Sequence, residues 1–267
     1  MDPTKTVSLI TNQLSDRIGL WTLYTREVRR FTKVYTQTLL APVVTTLLFL
    51  AVFTLALGRA VDTVGGVPFI EFLAPGLIMM AIAQNAFANT SSSIVISKVQ
   101  GNIVDTLMPP FNAHELTLAI GLAGATRGMV VGLVVGIAMS FFVPLGIHNV
   151  FTIIYFAAMA SLMLSLLGTI GGIWSEKFDH IAAVTNFIVT PLSFLSGTFY
   201  SIERLPETAQ LLAHLNPFFY MIDGFRFGFI GTSDMPPLVG VAVLALVNSV
   251  LWLLCYRMFK TGYKLKA

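Results

Sequence analysis

The residues of this chain that could do chemistry do not stand where chemistry needs them. His114, His148, His180 and His214 fall in or beside four different connections, with no spacing at which two would share a metal ion. Cys255 is the single cysteine and lies in an apolar run. That removes a disulfide framework or CxxC redox pair and leaves the role of a small buried hydrophobe. GxSxG, HExxH and the phosphate-loop pattern GxxxxGK followed by Ser or Thr are all missing, so the chain is expected to hold no cofactor or metal and to catalyse nothing by itself. What remains are charges that interrupt apolar runs: Asp105, Arg127, Asp223 and Arg226. Asp223 and Arg226, three apart, could pair with each other or equally anchor in a lipid interface.

These charges matter because so little else is charged. Across 267 residues, 55% hydrophobic against 11% charged, with a mean hydropathy of +0.80, describes an integral membrane protein and excludes a soluble enzyme. A crossing helix needs about 20 apolar residues for a hydrocarbon layer of about 30 Å. Six stretches qualify, at about 39–57, 69–96, 115–143, 150–174, 181–200 and 235–256, which gives an all-α fold. About 38 residues with six Lys or Arg precede the first, too long and charged for a cleaved leader, so that span is expected to be retained. Pro191 should kink the fifth span, and Gly124, Gly128, Gly132 and Gly136 form a small-residue seam on the third.

Six spans put both termini on one side. Thirteen of the sixteen Lys and Arg share that side, leaving Arg59, Arg204 and Arg226 opposite, so the positive-inside rule predicts cytoplasmic termini. Met1 to Asp16 reads as a flexible tail. Beyond it Trp21, Tyr24, Val28, Phe31 and Tyr35 step by three and four, with Arg26, Arg29, Arg30 and Lys33 on the other faces. This is an amphipathic helix suited to an anionic lipid surface.

Ser97 to Glu115 is a charge-bearing break with an apolar stripe, Val99, Ile103, Leu107 and Met108. A short helix that docks on a partner and an ordinary loop both fit that pattern. Pro109 and Pro110 end it, and Asn112 with Glu115 reads as a capping box for the next helix. Between Glu203 and Asp234, a short helix opened by Pro206 and an aromatic one opened by Pro217 read as a re-entrant or interfacial hairpin. Gln84, Asn85 and Asn89 on the second span, and Phe194, Phe199 and Tyr200 on the fifth, could line a route through the membrane or simply pack helices. Span cores hold no ionisable residue apart from the border case Arg127, whereas an ion-coupled carrier normally keeps such groups at mid-membrane. The sequence thus describes a pathway without an energy source, for which a separate cytoplasmic motor is the missing part. A secondary transporter or channel without an ATPase is the alternative, and nothing calls for nucleic acid.

The chain also resembles the ABC-2 type permeases of bacterial exporters, in particular the YadH-like and NodJ-like branches. The similarity rests on Phe72–Met80 (FLAPGLIMM), Asn85–Ser93 (NAFANTSSS), Ala125–Leu133 (ATRGMVVGL) and the run Leu205-Pro206, Pro217-Phe218-Phe219-Tyr220, Arg226 and Gly228. It implies a six-span subunit, usually homodimeric, in the bacterial inner membrane with two ATP-binding subunits that carry ATP and Mg. Residues 1–35 would then be a cytoplasmic tail and connecting helix, and 36–267 the transmembrane domain. It further implies a coupling helix at Ser97 to Pro110 with its acidic position at Asp105, and an extracellular cap at Glu203 to Asp234 carrying Pro206, Pro217, Tyr220, Asp223 and Arg226. Exporters of drugs, lipids, lipo-oligosaccharides and polysaccharides share this fold in the resembled family. An amphipathic cargo, lipid-like, lipo-oligosaccharide or drug-like, is expected here because the spans offer no fixed charge for a strongly ionic one.

Overall fold

The computed structural model describes residues 3–58, 61–109, 111–202 and 205–265, with side chains from Ile18 onward. Arg59, Pro110, Glu203, Arg204 and the side chain of Arg17 lie outside the described residues. In chain order the elements are α1 (Pro3–Thr32), α2 (Ala41–Leu57), strands β1 (Thr63–Val64) and β2 (Val67–Pro68), and α3 (Phe69–Val99). Then come α4 (Ile103–Leu107), α5 (Ala113–Ser140), α6 (Val150–Trp174), α7 (Phe178–Val184) and α8 (Thr190–Phe194). The chain ends with α9 (Glu207–His214), α10 (Pro217–Ile230) and α11 (Pro237–Thr261). Single π-helical turns at Thr36–Leu40 and Thr185–Val189 lead into α2 and α8.

The chain is an all-α membrane protein. Among the described residues five helices are long and apolar enough to cross a bilayer: 36–57, α3, α5, α6 and α11. The expected sixth, 181–200, is instead a helix of 17 residues from Phe178 to Phe194, broken by the π turn. At 1.5 Å per residue it is about 26 Å long, shorter than the hydrocarbon layer. Pro191 lacks the amide that would continue the ladder, and the widened turn before it absorbs the loss. Pro42 follows its own π turn for the same reason. The tail expected to be flexible is helical from Pro3, so α1 is a single helix well longer than its apolar stripe. The β1–β2 ribbon was not anticipated from an all-α pattern, although Gly65-Gly66, both at positive φ, is a hairpin-turn signal.

α3 is the central helix, packed against α5, α6 and α10, with most of its length buried. Its polar second half is absorbed by helix packing: Thr90 Oγ1 donates to Ser165 O at 2.8 Å, and Ser161 and Ser165 donate to carbonyls of α5. The glycine seam explains how three helices come so close. A Cβ on Gly128 would stand 2.1 Å from Ser161 Oγ and 3.1 Å from Ile82 O, and Gly124 and Gly132 are equally closed to a side chain. Gly136 is not, because its nearest neighbour is 4.0 Å away. The Asn112 and Glu115 capping box forms as the sequence predicts, with Asn112 N donating to Glu115 Oε2 at 2.7 Å.

Candidate functional site

Two polar regions sit at opposite ends of α3. The first is where α1 packs on α5 and reaches the last turns of α3 with its polar side chains. The face of α1 that docks is Leu23, Glu27 and Phe31, an i, i+4, i+8 row, rather than the full aromatic stripe. Phe31 is buried as that stripe requires, and Tyr24 is half-buried with its hydroxyl 2.9 Å from Thr126 Oγ1, but Trp21 is exposed. Glu27 is the hub: Ser93 Oγ donates to its Oε2 at 2.6 Å, and Arg26 and Arg30 each come within 3.3 Å. Arg26 also donates to Thr106 Oγ1 on α4, and Arg30 to the backbone and side-chain oxygens of Asn89. Of the three arginines on this helix Arg26 and Arg29 are exposed and Arg30 is half-buried.

The turn after α3 is made by Gly101 at φ +76°, and α4 is a single short helix, more compact than the stripe 99–108 suggests. Its residues divide. Ile103 and Leu107 pack inward with Ile94, Ile120, Ile173 and Leu265, while Val99, Val104 and Met108 are exposed alongside Asp105. Lys98 holds the neighbouring end of α6, donating to Ile173 O at 2.7 Å and Ser175 O at 2.6 Å, the C-terminal carbonyls a helix leaves free. Lys264 pairs with Glu176 at 2.9 Å beside it.

The second region is the α9–α10 hairpin at the other end. Pro206 precedes α9, Pro217 opens α10, and Tyr220 donates to His214 O, tying the two helices together. Asp223 and Arg226 are not an exposed pair. Both are buried, and each holds backbone. Asp223 accepts from the amides of Asp234 and Met235, and Arg226 donates to Gly197 O and Phe72 O with its guanidinium 3.7 Å over the Phe72 ring. Asp234 in turn accepts from Ser201 Oγ and Ile202 N, and Asn216 donates to Leu192 O and Ser196 Oγ. Burial pushes the Asp223 carboxyl up to about 6, against the pull of those amides and of Arg226.

Of the residues that could line a route, Phe53, Phe199 and Phe194 form a stacked row at 4.3 and 5.1 Å, with Tyr200 half-buried beside it. Gln84 and Asn85 line a cavity of about 220 Å³ between α2 and α3. Asn89 does not: it is buried and occupied by Arg30. Sequence reasoning missed Glu27, although its spacing from Leu23 and Phe31 was a usable signal. It also missed Lys98, Asn216 and Asp234, whose partners are far away in sequence and leave no local pattern.

The profile of the ABC-2 type transporter family matches residues 19–230. The chain is 35% identical over 250 residues to the inner membrane transport permease YadH of Escherichia coli K12, covering 94% of this chain and 98% of that protein. It is more distantly similar to nodulation protein J of Rhizobium meliloti, at 23% over 230 residues, 85% of this chain and 84% of that one. Nodulation protein J of Neorhizobium galegae matches at 22% over 176 residues, 66% and 67% of the two chains.

Proposed function

This chain belongs to the ABC-2 type transporter family as a membrane permease subunit without catalytic machinery, and from that premise we propose that it is half of an exporter driven by separate ATP-binding subunits. Two copies would assemble with two such subunits in the bacterial inner membrane, with residues 1–35 as cytoplasmic tail and connecting helix. Both termini and α4 then face the cytoplasm and the α9–α10 hairpin faces outward, as the distribution of Lys and Arg favours. The broken helix 178–194 serves as a short sixth crossing. The cargo is an amphipathic molecule, lipid-like, lipo-oligosaccharide or drug-like.

One observation carries this reading. Val99, Val104, Asp105 and Met108 form an exposed face on an element whose other side, Ile103 and Leu107, is anchored in the bundle. Such a face transmits a push from a partner into α3, α5 and α6 without fraying. ATP binding in the partner would shift the balance between inward- and outward-open states, between which the cargo's affinity differs.

Asp105→Lys, or Val99 and Met108 together changed to Ser, is expected to abolish co-purification of the ATP-binding subunit or its stimulated hydrolysis while membrane insertion persists. Coupled hydrolysis at the unaltered rate would overturn the proposal. Transport by the chain alone in liposomes under an ion gradient would favour the ion-coupled alternative.

A further inference from the structure

Arg127 is a largely enclosed cation without a carboxylate. Its Nη2 donates to Asn85 Oδ1 at 3.2 Å, and its buried Nε meets no acceptor. Among the described residues none of the ion pairs includes Arg127, and the charge that acts on it is another cation, Arg30. Arg30 reaches Asn89, one turn of α3 from Asn85. The Nε of Arg30 is also buried and lies 3.3 Å from Glu27 Oε2 without the alignment of a hydrogen bond. Glu27 is already shared with Arg26 and Ser93. One carboxylate therefore serves two arginines and a serine, and Arg127 has no share in it.

A cation removed from water without a counter-charge is costly, and here two guanidiniums converge on two asparagines with donors to spare. Space adjoins both. Asn85 lines the cavity of about 220 Å³, and Arg30 lines a cleft of about 920 Å³ between α1 and the α3–α4 turn. Arg127 also marks the point on α5 after which the helix carries no charge, from Gly128 to Ser140.

We propose that Arg127 and Arg30, positioned by Asn85 and Asn89, form a binding site for one phosphate group, carried by an anionic amphiphile or free in solution. A phosphate supplies several oxygens to planar, forked donors, and its charge answers the surplus that Glu27 leaves. This site is independent of the export reading, since it requires binding and no transport.

The test is native mass spectrometry of the full-length chain, purified in detergent and incubated with phosphatidylglycerol or with diacylglycerol, which has the same tails and no phosphate. The chain is expected to retain one phosphatidylglycerol and no diacylglycerol. Arg127→Gln should lower retention about tenfold or more, and Arg127→Lys, which keeps charge and loses the fork, by less. Lys177→Gln, which removes an exposed charge elsewhere, should leave it unchanged. Should Arg127→Gln fail to fold, Arg127→Lys and Asn85→Ala decide by the same readout. Displacement of the lipid by inorganic phosphate assigns the site to phosphate itself, and persistence of the lipid assigns it to a lipid phosphate; both uphold the site. Equal loss in Arg127→Gln and Lys177→Gln, unchanged retention in Arg127→Gln, or equal retention of diacylglycerol would overturn it.

Discussion

The two ends of α3 carry the polar groups of this protein, and they are built on opposite rules. At the hairpin end the two buried charges end on backbone, Arg226 on Phe72 and Gly197 and Asp223 on Asp234 and Met235, while half-buried Asp234 takes the Ile202 amide and the Ser201 hydroxyl. At the α1 end side chains meet side chains as well as backbone, one carboxylate is divided between two cations, and buried donors on Arg30 and Arg127 remain open. Backbone partners fix loops to one geometry, whereas a shared carboxylate leaves room to rearrange. On the function proposed above, a stiff region opposite an adaptable one is what a subunit moved from one side would require.

The hardest test of that contrast is Arg226→Met. It keeps most of the volume and removes two charge-assisted hydrogen bonds and a cation–π contact from a site that is 2% exposed. The cost should be about 3 kcal/mol or more, because the carbonyls of Phe72 and Gly197 lose a partner inside the protein. Thermal unfolding of the purified chain, followed by tryptophan fluorescence, should show a clearly lowered midpoint. A midpoint equal to that of the unaltered chain would mean the hairpin is held by its apolar contacts alone.

Glu27→Ala probes the other end and should cost less globally, about 2 kcal/mol, since Arg26 is half-exposed and recovers water. Its effect should be local: α1 should loosen from α3 and α5. A thiol placed at Leu23, which is 4% exposed, should then react with maleimide much faster in the Glu27→Ala background than without it. Equal labelling rates would show that Leu23 and Phe31 suffice to hold α1 down.

How far the sequence foretells this arrangement follows the range of each interaction. Local rules worked: the capping box at Asn112, the two helices opened by Pro206 and Pro217, and three of the four seam glycines are where periodicity and backbone chemistry put them. Rules that needed a partner distant in sequence did not. Asp223 and Arg226, three apart on a helix, look like a pair until the chain folds and gives each a better acceptor or donor elsewhere. The aromatic stripe on α1 is a reading for a lipid interface; within the protein the helix docks by a different row, Leu23, Glu27 and Phe31, in which Glu27 gains Ser93. The broken helix at 178–194 was foreseen as a kink at Pro191, but its length was not, since hydropathy continues through residues that the chain uses as a turn.

The smallest effect belongs to the exposed pair Glu176–Lys264, which pins the end of the chain next to Leu265, a residue packed with Ile94, Ile103, Ile120 and Ile173. The hydrogen bond and charge of Lys264 hold the Glu176 carboxyl below its ordinary value, and Glu176 raises the Lys264 ammonium. The carboxylate therefore contributes stability above the ordinary carboxylate range, which is lost as pH falls through its lowered value. The ammonium contributes below its ordinary value, which is lost as pH rises through its raised one. Between the two the pair is intact. Amide exchange over residues 262–265, corrected for intrinsic rates, should quicken slightly on acidification of the unaltered chain, and in Glu176→Gln it should already be at the quicker level at neutral pH. Identical profiles for the two proteins would show that Leu265 alone holds this segment, and that ion pairing at the α1 end matters only where Glu27 buries it.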